Sequence, residues 1–122
     1  MAGMPHDLDD QLQLTAQVVD QHLDMGDRVH EPRSVDHVAG FRSKGAAIAA
    51  AEDLEAAGYR IDGMRRRLLT VWLEFSKETA VDHASAAAFT REVVGILDRH
   101  DGGYDGWGGF VRTGEPEAAP EV

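Results

Sequence analysis

The chain has 122 residues, 12 Lys and Arg against 22 Asp and Glu, a formal net charge of −10 and no Cys. That length suits one domain, which buries about two-thirds of its extended-chain surface and needs no disulfide or metal staple. The missing Cys excludes thiolate zinc sites, iron–sulfur clusters and a Cys nucleophile, and it fits a reducing, cytoplasmic setting.

Residues 5–25 read as a helix. Leu8, Leu12, Thr15, Val19 and Leu23 recur at three- and four-residue steps, one face of a 3.6-residue period. Leu14, Val18 and Met25 widen that face. Asp7, Asp9 and Asp10 stand in the first turn, where carboxylates complement the helix dipole. Gly26 is a stop signal. The acidic start, without Lys or Arg before Arg28, does not resemble a secretory leader. No apolar run approaches the roughly 18 residues of a membrane span.

Val35, His37, Ala39 and Phe41 alternate with Asp36, Val38 and Gly40 as a strand. Ser43 offers an N-cap to an Ala-rich helix over 44–57, with Ile48, Ala51, Leu54 and Ala57 along one face and Gly58 as its stop. Tyr59 and Ile61 open a short strand. Asp62-Gly63 is a turn signal, which places Arg65, Arg66 and Arg67 in or beside the bend. Leu69, Val71, Leu73 and Phe75 then alternate with Thr70, Trp72 and Glu74. This is the clearest strand and is expected at the centre of the sheet, with neighbours on both sides. A third long helix covers 81–99, with Phe89, Val93, Ile96 and Leu97 facing inward. Asp101-Gly102-Gly103 ends it, and residues 104–112 are the last strand.

The order is helix, strand–helix–strand, strand–helix–strand. Two split βαβ units form one four-stranded antiparallel sheet with both crossover helices on one face, an α+β, ferredoxin-like plan with an added N-terminal helix. The first helix can cover the open sheet face, an edge, or the side of the other helices. A single domain over 1–114 is expected. Residues 115–122 hold Glu115, Glu117 and Glu121 with two prolines, and are expected to be a flexible acidic tail.

Charge runs unevenly: net −5 over 1–30, +1 over 31–77 and −6 over 78–122. Acidic flanks argue against direct nucleic-acid binding, which needs concentrated Lys and Arg, and favour a basic protein partner. Trp72 and Phe41 offer stacking rings, but the basic-aromatic consensus of an RNA-recognition sheet is missing. None of the six histidines makes a metal-ligand pattern, and no phosphate-binding or serine-nucleophile motif is present. No metal or cofactor is expected.

The informative stretch is Gly103-Tyr104-Asp105-Gly106-Trp107-Gly108. Glycines interleaved with two amphipathic rings suit a shaped bulge that fixes ring positions. The rings either fill core gaps beside the glycines or anchor a protein partner, since Trp and Tyr are enriched at binding hot spots. Tyr104 and Trp107 are three apart, so a regular strand sends them to opposite faces unless Gly106 adds a bulge.

This stretch resembles the terminal signature of the RraB family, regulators that inhibit ribonuclease E. The acidic first helix, the strand Val35-Asp36-His37 ending in Phe41, the Ala-rich helix running into Gly58-Tyr59-Arg60-Ile61, and the long helix before the signature follow the same order. The resemblance spans roughly residues 6–111. It implies a ferredoxin-like, non-enzymatic, cytoplasmic protein that binds a ribonuclease of the ribonuclease E type outside its catalytic centre and modulates RNA turnover. It carries no catalytic residues. Two features depart from it: the long acidic tail of some members is missing, and the Arg65–Arg67 cluster is present.

The expected mechanism is an acidic surface laid on a basic segment of the partner. Asp7, Asp9 and Asp10 supply charge, and Tyr104, Asp105 and Trp107 form the anchor. No membrane partner is expected. The alternatives are a small oligomeric interaction domain built through a sheet edge, or a hydrolytic enzyme using His37 with Asp36 or Asp105.

Overall fold

The computed structural model describes residues 8–112; the expected acidic tail and Asp7 lie outside the described residues. The elements are α1 (Leu8–Asp24), β1 (Arg33–Phe41), α2 (Lys44–Ala56), β2 (Arg60–Arg67), β3 (Thr70–Thr79), α3 (His83–Asp98) and β4 (Gly103–Gly108). The strands form one antiparallel sheet in the order β2-β3-β1-β4. This is the ferredoxin-like arrangement, an α+β fold with an added N-terminal helix.

β3 lies between β2 and β1, as its alternation implies. Val71, Leu73 and Phe75 are buried beside Val35, His37, Ala39 and Phe41 of β1. Phe89, Val93, Ile96 and Leu97 of α3 close over them. α2 lies on the same core through Ala47, Ala50, Ala51 and Leu54, whose small side chains permit close approach to the sheet. Ser43 caps α2 by accepting from the amide of Ala46, and Asp82 caps α3 by accepting from that of Ser85. The face expected of α2 is displaced, because Ile48 is 42% exposed. In an Ala-rich helix most faces are apolar enough to pack, so hydrophobicity alone does not set its rotation.

α1 packs against α3, on the helical side of the sheet. Its buried stripe is Gln11, Thr15, Val19 and His22: Thr15 and Val19 are buried as the spacing implies, but the stripe is turned from the leucines towards Gln11 and His22, and Leu14 and Leu23 are 49% and 45% exposed. The polar members are turned inward because each meets a partner. Gln11 Nε2 donates to the Tyr104 carbonyl at 3.4 Å, the hydroxyls of Thr15 and Thr90 share a hydrogen bond at 2.7 Å, and His22 bonds Asp27. Satisfied buried polar groups remove the penalty that would otherwise favour the leucines.

The β2–β3 turn also differs from expectation. Asp62-Gly63 is not the bend; the register shifts between Ile61 and Gly63, so a bulge lies there and the strand continues. Arg65, Arg66 and Arg67 are therefore strand residues, paired with Trp72, Val71 and Thr70. The two-residue turn is Leu68-Leu69, so Leu69 is not a core position. Continuing β2 pairs the outer edge of β3 and packs Ile61 and Met64 against the core. Those gains outweigh the local preference of Asp-Gly for a turn. Leu68 sits at φ 57°, which costs a branched residue about 1–2 kcal/mol.

Candidate functional site

β4 pairs with β1 through His37↔Trp107 and Ala39↔Tyr104, with a register shift between them. Three steps along β4 oppose two along β1, so the extra residue reverses the alternation. Gly106, at φ 106°, supplies the left-handed backbone the bulge requires. Tyr104 and Trp107 consequently turn to the same, helical face, and Trp107 remains partly accessible.

Tyr104 is 7% exposed, and its hydroxyl shares a 2.7 Å hydrogen bond with His37 Nδ1. His37 is stacked on Phe75 at 5.1 Å and met edge-on by Phe89 at 5.2 Å and Tyr59 at 5.6 Å. Burial lowers the His37 pKa to about 4, so the ring is neutral at pH 7. Burial likewise pushes the Tyr104 phenol well above its ordinary value, with a smaller contribution from Tyr59. The pair is a neutral hydrogen bond inside an aromatic cage.

Trp107 bridges the two halves of the core. Its ring lies edge-on to Phe89 at 5.0 Å and stacks on His22 at 5.9 Å, and its Nε1 donates to Thr15 Oγ1 at 3.2 Å. Beyond His22 is a buried charge cluster. Asp27 accepts from His22 Nδ1, from Arg33 Nη1 at 2.7 Å and from the Arg112 amide at 3.2 Å. Burial would raise the Asp27 pKa, but the hydrogen bonds from Arg33, His22 and Arg112 outweigh it and hold the carboxyl below its ordinary value. Arg33, 2% exposed, also donates to the carbonyls of Arg28, Glu31 and Phe110. The cluster thus ties the end of α1, the 25–32 loop, the start of β1 and the chain after β4 into one unit.

His22, Asp27 and Arg33 were not legible as partners. They are close in sequence but belong to a helix end, a loop and a strand, and no spacing rule links those. The one available signal was Asp27 directly after the Gly26 stop, the position from which a side chain can turn back.

The remaining expected site residues are exposed. Asp9 and Asp10 lie on the first turn of α1, and Asp105 stands at the bulge. Neither suggested carboxylate joins His37: Asp36 is exposed on the opposite face of β1, and Asp105 points to solvent. A cavity of about 340 Å³ does open beside His37, lined by Tyr59, Lys77, Phe89 and Glu92 among others. Its Glu92 accepts from the Tyr59 hydroxyl at 2.8 Å, and the Lys77 ammonium lies over the Tyr59 ring at 4.8 Å. Among the described residues no group of three His, Asp or Glu side chains is placed to hold a metal ion.

Fold and site together define a small ferredoxin-like α+β domain whose last strand carries a bulged aromatic signature beneath an added helix. Residues 12–109 match the family described as regulator of ribonuclease activity B. The chain belongs to this RraB family. No curated protein matches it at a significant level. Nor is any helix among the described residues long and apolar enough to cross a membrane.

Proposed function

We propose that this protein acts without catalysis of its own, by binding a ribonuclease of the ribonuclease E type in the cytoplasm and restraining RNA turnover. The observation that carries this reading is the family match across 12–109, which includes the whole Tyr104–Trp107 signature. Two features of the surface support it. Asp9, Asp10 and Asp24 make the outer side of α1 acidic, which suits a basic segment of a partner. The accessible part of Trp107 stands beside that helix through its bond to Thr15, and together with Asp105, exposed two residues earlier in β4, it forms the anchor. Tyr104, bonded to His37 within the core, holds the strand that presents them. Asp7 precedes the described residues and adds a further charge in the same sequence run.

The test is capture of a purified ribonuclease E by the tagged protein at low and moderate salt, with RNA cleavage measured in parallel. Capture that weakens with salt, with slower cleavage, is expected. Asp9→Lys with Asp10→Lys should reduce both. Unaltered cleavage together with no capture at low salt refutes the proposal.

A further inference from the structure

The β2–β3 hairpin ends in two leucines that nothing covers: Leu68 is 86% and Leu69 85% exposed. Both central positions of a tight turn are therefore branched and apolar, and Leu68 is in the left-handed region. Turns with positive φ at their first central residue favour Gly there, and polar residues elsewhere. The chain thus accepts backbone strain at Leu68 and apolar exposure at both leucines.

The surroundings of this tip are cationic. Arg66 and Arg67 precede it in β2. Phe41 pairs with Val71, so β1 ends beside the turn, and Arg42 and Lys44 leave the sheet there. All four are exposed, and among the described residues none has a carboxylate partner. Most other cations are matched: Arg28 by Glu31, Arg33 by Asp27, Arg60 by Asp62, Arg65 by Glu74, Lys77 by Glu92 and Arg99 by Asp53. One acid, Asp101, stands at the same end, since it precedes Gly102, which lies against Phe41. In a protein of net charge −10, four of the six Lys and Arg side chains without a salt bridge among the described residues, all but Arg91 and Arg112, thus stand around the two most exposed leucines.

We propose that this hairpin tip docks on an anionic lipid bilayer surface, with Leu68 and Leu69 entering the acyl boundary and Arg42, Lys44, Arg66 and Arg67 meeting lipid phosphates. Aliphatic side chains on a protruding point suit a fluid apolar layer, and flanking arginines reach the headgroups from their stems. The cationic end acts locally, because physiological salt screens the more distant acids over about 8 Å. A nucleic-acid site would use the arginines and leave the leucines unexplained. The attachment is peripheral. It departs from the expectation of no membrane partner, because the turn falls at Leu68-Leu69 and not at Asp62-Gly63.

Co-sedimentation with vesicles tests it, using phosphatidylcholine alone and phosphatidylcholine mixed with phosphatidylglycerol. The protein should partition onto the mixed vesicles only, and less as salt rises. Leu68→Gly with Leu69→Ser gives the turn its preferred residues, so the thermal midpoint should not fall. Partitioning should nevertheless drop about tenfold or more. Arg66→Gln with Arg67→Gln should lower it by about tenfold. Leu14→Ser on α1 should leave it unchanged. No binding to the mixed vesicles at low salt overturns the proposal. So does wild-type partitioning by both double variants, or retention by single-stranded RNA or an acidic peptide without any vesicle binding.

Discussion

Trp107 Nε1 donates to Thr15 Oγ1 at 3.2 Å, joining the last strand to the first helix across 92 residues of sequence. Thr15 in turn bonds Thr90 of α3, so the indole is the end of a short chain of hydroxyls running between two helices. The ring both seals the core and reaches the surface. Trp107→Ala should therefore cost about 3 kcal/mol of folding stability, near the lower end for a large buried aromatic. If the exposed part also anchors the ribonuclease, the folded variant should lose about 2 kcal/mol or more in binding. Chemical denaturation and partner capture on the same variant separate the two. Normal capture by a destabilised but folded variant would make the signature purely structural.

The buried His37 predicts an acid limb to stability. Its folded pKa is about 4 against an ordinary 6.5. Between those values the unfolded chain binds the proton and the folded chain does not, so stability falls as pH drops from 6.5 to 4 and this contribution levels off below. The difference is worth about 3 kcal/mol. Asp27 adds to acid sensitivity in the same direction, because its folded carboxyl is held below its ordinary value. His37→Leu should flatten only the first part. Urea unfolding of both proteins across that pH range checks this; parallel curves would show that His37 does not titrate as the geometry implies.

Asp27 and Arg33 are both buried, so neither tolerates loss of the other. Asp27→Ala should destabilise by about 3–5 kcal/mol, because it strands the Arg33 guanidinium. Replacing both, as Asp27→Leu with Arg33→Met, should recover much of that loss. A thermal melt of the three variants measures the coupling, and equal losses for single and double variants would argue against it.

Gly102 is required by contact, not by backbone freedom. A Cβ there would lie 2.5 Å from Phe41 Cε2 and 2.9 Å from its Cζ. Gly102→Ala should cost about 1–3 kcal/mol through overpacking. Phe41→Leu in the same chain should relieve part of the strain. Midpoints that are additive for the two changes would show that the contact is not the cause.

The sequence by itself determined the element order, the ferredoxin-like connectivity, the central place of β3 and the family signature. Each follows from local information: strand alternation, helix periodicity, Gly stop signals, and handedness of crossovers. Only the tertiary structure decided which face of α1 is buried. Gln11 and His22 look wrong for a core until the Tyr104 carbonyl and Asp27 arrive from elsewhere. It also decided the β2–β3 turn, because pairing the edge of β3 outweighs a two-residue preference. Finally it brought Tyr104 and Trp107 to one face, since a bulge is a relation between two strands and leaves no periodicity within one.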